Sequence, residues 1–77
     1  MKKIVILGST GSIGEKALNV VRSLPGHFQV VAVAASGNVE RIAQQAAEFG
    51  IREVALMDGG AARRAREIVP PGVNVFV

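Results

Sequence analysis

The sequence predicts an α/β chain of order β-α-β-α-β-α-β, a parallel sheet with helices on both faces. Three observations predict it: four short apolar, β-branched runs recur within 77 residues, stretches with apolar residues at helical spacing separate them, and Gly, Pro, Asn or Asp marks the junctions. Alternating elements joined by such short connections force right-handed crossovers and a parallel sheet. The expected spatial order is 3-2-1-4, the first half of a doubly wound fold plus one strand.

Lys3 to Leu7 reads as a short central strand, stopped by the Gly-Ser-Thr-Gly signal. From Ile13 to Leu24, Ile13, Ala17, Val20, Val21 and Leu24 form an apolar helical stripe, with Glu15, Lys16, Asn19, Arg22 and Ser23 on the other face and Pro25-Gly26 as the stop. Gln29 to Ala35 is continuously apolar, as a strand covered on both faces would be. Asn38 offers an N-cap to a second helix with Val39, Ile42, Ala43, Ala46 and Phe49 inward and Gly50 at its end. Glu53 to Met57 is the third strand, with Met57 in the core. Asp58 caps a third helix with Ala61 or Ala62, Ala65, Ile68 and Val69 inward, broken by Pro70-Pro71-Gly72. Val73 to Val77 closes the pattern as a fourth strand, and its nearly uncharged edge predicts pairing with another chain.

Size and composition bound what such a chain can do. Seventy-seven residues hold one domain, 1–77, and a domain this small buries only ~60% of its unfolded surface, so stability is marginal. Three Phe with no Tyr or Trp give an aliphatic core and almost no stacking platforms for single-stranded nucleic acid. The net charge of +3 comes from dispersed basic residues, clustered only at Arg63, Arg64 and Arg66, which read as the solvated face of the third helix with Glu67. No nucleic-acid partner is expected. The absence of cysteine excludes a disulfide framework and a thiolate zinc site. Lys2-Lys3 before Ile4 to Leu7 resembles a signal-peptide start, but the apolar run ends at Gly8. A cytoplasmic protein with no membrane partner is expected. The single His27 lacks partners for catalysis or metal binding and reads as structural, and the segment offers neither catalytic nor metal residues.

The chemistry lies in Gly8-Ser9-Thr10-Gly11-Ser12-Ile13-Gly14, set between the first strand and the first helix. Gly8 suits the tight turn, Gly11 lets a pyrophosphate approach the backbone, and Gly14 allows close packing of the helix. The helix N-terminus adds unpaired N–H groups and roughly half a positive charge. The hydroxyls of Ser9, Thr10 and Ser12 either reach phosphate oxygens or cap the local backbone. No G-x-x-x-x-G-K-[ST] is present and no acidic cluster follows the first strand, so a dinucleotide is the candidate ligand.

An acidic residue about 20 positions past the motif would mark NAD. Here Ala34-Ala35-Ser36-Gly37-Asn38 carries no carboxylate, so a 2′-phosphate fits better than a bare ribose. Arg41 points the same way, because a cation in a helix's first turn opposes the dipole unless an anion is near; otherwise it points into water.

With these residues in view, the whole chain resembles the N-terminal part of the 1-deoxy-D-xylulose 5-phosphate reductoisomerase family. The resemblance rests on Ile6 to Gly14, Pro25, His27-Phe28, Asn38-Val39 and Ala47-Glu48-Phe49. It implies a Rossmann-like NADP(H)-binding segment in which Thr10, Gly11, Ser12 and Ile13 line the pyrophosphate and adjoining ribose. Ser36, Gly37 and Asn38 would then meet the adenosine ribose phosphate. Ser36-Gly37 departs from the Gly followed by Lys or Ser common in the family, so no cation is supplied at position 37. The implied reaction of a longer parent is rearrangement of 1-deoxy-D-xylulose 5-phosphate and NADPH reduction to 2-C-methyl-D-erythritol 4-phosphate, in isoprenoid biosynthesis. Mg²⁺ or Mn²⁺ and the sugar-phosphate substrate would bind outside this segment, which alone is expected to be inactive. The expected assembly is a homodimer or an edge-strand association. A stand-alone nucleotide sensor and the cofactor domain of another NADP-linked reductase remain the alternative readings.

Overall fold

The computed structural model describes residues 1–77 as β1 (Lys2–Leu7), α1 (Ser12–Ser23), β2 (Phe28–Ala35), α2 (Val39–Phe49), β3 (Glu53–Leu56), α3 (Gly59–Ile68) and β4 (Asn74–Phe76). The alternation is the one expected, and all three strand pairings are parallel. The register slips between Ile4 and Val5, so Ile4 opposes Val30 while Val5 opposes Ala32. That slip is why Val30 and Val33, three residues apart, both face the core.

The strand order is β1-β2-β3-β4, which corrects the expected 3-2-1-4. The reason lies in α3. Its three alanines, Ala61, Ala62 and Ala65, are fully enclosed and join α2 and the sheet in one core cluster. A helix docked beside α2 returns the chain next to β3, not across to the free side of β1. Successive right-handed crossovers in one direction put every helix on one face. Residues 1–77 thus supply one of the two helical layers expected. Ile6, Val33, Ala35, Val54 and Leu56 are buried under it, while Val5 and Leu7 are 58% and 78% exposed on the opposite face. The apolar run of β2 that suggested cover on both faces has Val31, Ala32 and Ala34 only half-buried.

Local chemistry explains the helix boundaries. Asn38 and Asp58 accept hydrogen bonds from the Arg41 and Ala61 amides, capping α2 and α3 as expected. Gly50 ends α2 in the left-handed conformation at φ 65°. The inner stripe of α1 differs from expectation: Gly14 and Leu18 are buried, with Ala17 and Val21 half-buried, whereas Ile13 is 82% exposed and Val20 and Leu24 are also exposed. Apolar spacing alone fits two stripes on this helix, and Gly14, which has no side chain, marks the one that packs. Met57 is exposed just past the end of β3, not in the core, and Ile68 is exposed at the end of α3. No helix is long and apolar enough to cross a membrane.

Candidate functional site

The carboxyl ends of the parallel strands bring the Gly-rich turn and the loop after β2 together. The Gly8 and Ser9 amides both donate to the Ala34 carbonyl, at 2.7 and 3.0 Å, and the Gly11 amide donates to the Gly8 carbonyl at 3.1 Å. Gly8 takes φ 71°, a left-handed conformation that suits glycine at the exit from β1. Gly14 is required for a different reason. A Cβ there would lie 2.1 Å from the Gly8 carbonyl oxygen and 2.6 Å from the Ser9 Cα, so the start of α1 closes directly onto the backbone of the turn. At Gly11 a Cβ would meet the Gly8 oxygen at 3.4 Å, an ordinary contact, so the chain's own packing does not demand glycine there.

The N-terminus of α1 is the one left open. Its N-cap, Gly11, offers no side-chain acceptor, whereas α2 and α3 are both side-chain capped. The Glu15 amide is the first to find a carbonyl, that of Gly11 at 2.8 Å, and the amides of Thr10, Ser12, Ile13 and Gly14 find no acceptor in the chain. Exposed N–H groups at a positive helix end suit an anion. Gly11, Ser12 and Ile13 are exposed there and Thr10 is half-buried. Ser9 is fully enclosed, which turns its hydroxyl inward and removes it from the surface that a ligand would meet.

Ser36, Gly37 and Asn38 lie exposed at the end of β2, on the same rim. The Asn38 side chain is occupied as a cap, with Oδ1 3.2 Å from the Arg41 amide. Arg41 is not the unpaired cation that its place in the helix suggested. Its Nε and Nη2 lie 2.5 and 2.7 Å from the two oxygens of Glu15, and Nη1 lies 3.0 Å from Gln44 Oε1. The anion that relieves the dipole is therefore the chain's own. Hydrogen bonding to Arg41 holds the Glu15 carboxyl below the usual carboxylate range, and the same bond raises Arg41. Without this partner, Glu15 would place a bare negative charge in the first turn of α1, next to the open amides.

Sequence reasoning put Glu15 and Arg22 on a solvated face, yet both join α1 to α2. Arg22 pairs with Glu48 at 2.5 Å, bonds Asn19 and lies over the Phe49 ring, its Cζ 5.2 Å from the centroid. The signal was available: Glu15 and Arg41 occupy first turns of adjacent parallel helices. Gln45 was also missed. It lies within the Val39, Ile42, Ala46 arc, is fully buried, and donates from Nε2 to the Ser9 carbonyl at 2.8 Å. Its position three residues after Ile42 marked it as inward-facing.

His27 lies exposed in the loop before β2, and no group of three or more His, Cys, Asp or Glu side chains converges anywhere in the chain. A concavity of ≈ 470 Å³ lies at the opposite end of the sheet between Gly50-Ile51-Arg52 and Pro70-Pro71-Gly72, away from the open helix terminus.

Comparison with known proteins gives a consistent picture. A family model for 1-deoxy-D-xylulose 5-phosphate reductoisomerase matches residues 4–75. The reductoisomerase of Anaeromyxobacter sp. (strain K) is 48% identical over 76 residues, covering 99% of this chain and 20% of that protein. That of Leifsonia xyli subsp. xyli is 47% identical over 68 residues, 88% of this chain and 19% of its own length. Among solved structures, the reductoisomerase from Zymomonas mobilis in complex with NADPH aligns with a TM-score of 0.90 and 25% identity, over 97% of this chain and 20% of that one. The chain therefore spans about a fifth of the length of the relatives it matches.

Proposed function

Since the chain belongs to the 1-deoxy-D-xylulose 5-phosphate reductoisomerase family, we propose that residues 1–77 form the N-terminal NADP(H)-binding domain of such an enzyme. The parent would convert 1-deoxy-D-xylulose 5-phosphate to 2-C-methyl-D-erythritol 4-phosphate. The observation that carries this reading is the uncapped N-terminus of α1, where four amides without acceptors meet a turn that Gly14 closes too tightly for any Cβ. The site fits a dinucleotide pyrophosphate: Gly8, Thr10, Gly11, Ser12, Ile13 and Gly14 would cradle it. Ser36, Asn38 and the Gly37 backbone would receive the adenosine ribose and its 2′-phosphate. Arg41, already engaged, would act by neutralising Glu15 at the rim, so that the carboxylate does not repel the phosphates.

Bound NADPH would supply the hydride; this chain's part is to hold and orient the adenosine diphosphate end. The residues present do not fit a divalent metal, so Mg²⁺ or Mn²⁺ and the sugar phosphate would be bound by the remainder of the enzyme. The proposed setting is the cytoplasm, without a nucleic-acid partner, and the proposed assembly is a homodimer or a complex formed at a sheet edge.

Calorimetric titration with NADPH and with NADH tests the proposal. Tighter binding of NADPH is the expected result. Equal affinity would overturn the 2′-phosphate assignment, and no binding of either by the folded protein would overturn the cofactor site.

A further inference from the structure

Ser9 and Gln45 are the only buried polar residues, and they are hydrogen-bonded to each other across 36 positions of sequence. Gln45 is anchored in the middle of α2, between Ile42 and Ala46 in the core. Its amide nitrogen faces the Ser9 carbonyl because only that end can donate. The arrangement is poor for stability alone: Gln45 Oε1 and Ser9 Oγ are both buried without a partner. An aliphatic residue at position 45 would extend the apolar arc of Val39, Ile42 and Ala46 and leave no orphaned amide oxygen.

The Gly-rich turn has few other ties. Gly8, Gly11 and Gly14 carry no side chains, and the backbone bonds to Ala34 hold the turn only from the sheet side. Gln45 holds it from the helical layer, at the carbonyl immediately before the unpaired Thr10 amide.

We propose that Gln45 is a positioning residue for the cofactor site: by fixing the Ser9 carbonyl it orients the Thr10, Ser12 and Ile13 amides and couples the phosphate turn to α2. The inference rests on the cofactor reading above. It also links the two halves of that site, because the first turn of α2 carries the Asn38 cap and the Arg41–Glu15 pair.

The test compares Gln45→Met, similar in length but unable to donate, with Gln45→Glu in the full-length protein. Amide hydrogen exchange and NADPH titration are both read. For Gln45→Met, faster exchange confined to the hydrogen-bonded turn amides of Gly8, Ser9 and Gly11 is expected, with α3 and β3 unchanged and NADPH bound about tenfold more weakly, the scale of one lost hydrogen bond. In Gln45→Glu the ionised carboxylate repels the Ser9 carbonyl and also the Glu15 carboxylate that Arg41 holds on α1, whereas the protonated acid can donate to Ser9. Its affinity, measured at each pH in a Glu15→Gln background and relative to that background, should therefore recover as pH falls. Wild-type affinity and exchange in Gln45→Met, or exchange raised uniformly through the molecule, would overturn the inference. If Gln45→Met does not fold, recovery of Gln45→Glu at low pH supports it and a flat profile overturns it. If the wild-type protein binds no NADPH, the cofactor reading fails, and the exchange comparison still decides whether Gln45 sets the turn.

Discussion

Glu15 and Arg41 meet side-on, both carboxylate oxygens facing the guanidinium Nε and Nη2 at 2.5 and 2.7 Å. The pair joins the first turn of α1 to the first turn of α2, beside the open amides of the Gly-rich turn. It has a consequence for acid stability. The folded-state pKa of Glu15 is depressed, chiefly by hydrogen bonding to Arg41, so the stabilisation is fully present above the unfolded value of about 4.3. It is lost as pH falls through the lower folded value. Glu48, held down by Arg22 in the same way, adds to the effect. Thermal melts from pH 7 to pH 3 should show wild type losing stability below about pH 4.5 and Glu15→Gln changing less over that window. Parallel profiles for the two proteins would mean that the pair does not couple to folding.

Two glycines of the turn, with Gly37 beyond β2 for comparison, separate packing from ligand access. Gly14→Ala forces a Cβ against two backbone atoms of the Gly8-Ser9 turn, which no side-chain rotation can relieve. A loss of about 3 kcal/mol is expected, at the upper end for overpacked sites, together with loss of NADPH binding. Gly11→Ala makes only an ordinary contact with the Gly8 oxygen, so its melting midpoint should stay near wild type while its methyl group obstructs the pyrophosphate. Gly37→Ala meets open space without a positive φ and should leave stability unchanged. Equal stability of Gly11→Ala and Gly14→Ala in denaturant titrations would refute this division.

Ser9 provides a test with the opposite sign. Its hydroxyl is fully enclosed and has no partner, while its carbonyl accepts from Gln45. Ser9→Ala retains the carbonyl and removes a polar group that folding has stripped of water. Stability should hold or rise by about 1 kcal/mol, with NADPH affinity unchanged because the side chain faces inward. A clear loss of stability would show that the hydroxyl is satisfied, for instance by an enclosed water.

How much of this was legible in the sequence depended on how local the cause is. The order of elements, the Asn38 and Asp58 caps and the Gly50 stop follow from residues within one turn of each boundary, and the structure agrees with all of them. The position of β4 is not local. It depends on whether α3 docks beside α2 or crosses the sheet, and the buried face of Ala61, Ala62 and Ala65 decides that by how closely it allows the helices to approach. The Gly-rich turn was legible because glycine spacing is itself the geometric requirement. Arg41 and Glu15 were misjudged separately because their properties come from a contact across 26 residues. Ile13, Val20 and Leu24 misled in another way, since apolar spacing shows that a stripe exists but not which surface covers it.

The uncovered face of the sheet leads to the last prediction. Val5, Leu7 and Phe76 are at least half exposed on the side that carries no helices, and β1 and β4 are both edge strands. Apolar surface flanked by unpaired strand edges favours association, so residues 1–77 prepared alone should self-associate as concentration rises. Leu7 is the most informative position: it is 78% exposed, its side chain makes little contribution to the helical-side core, and it lies at the end of β1. Leu7→Lys should therefore shift the assembly toward monomer in light scattering while changing the melting midpoint little. The two edges can be distinguished by Phe76→Lys, which weakens association through β4 but leaves the β1 edge intact. A wild-type chain that remains strictly monomeric at high concentration would show that neither the open face nor either edge is adhesive, and the proposed edge-strand association would then be abandoned.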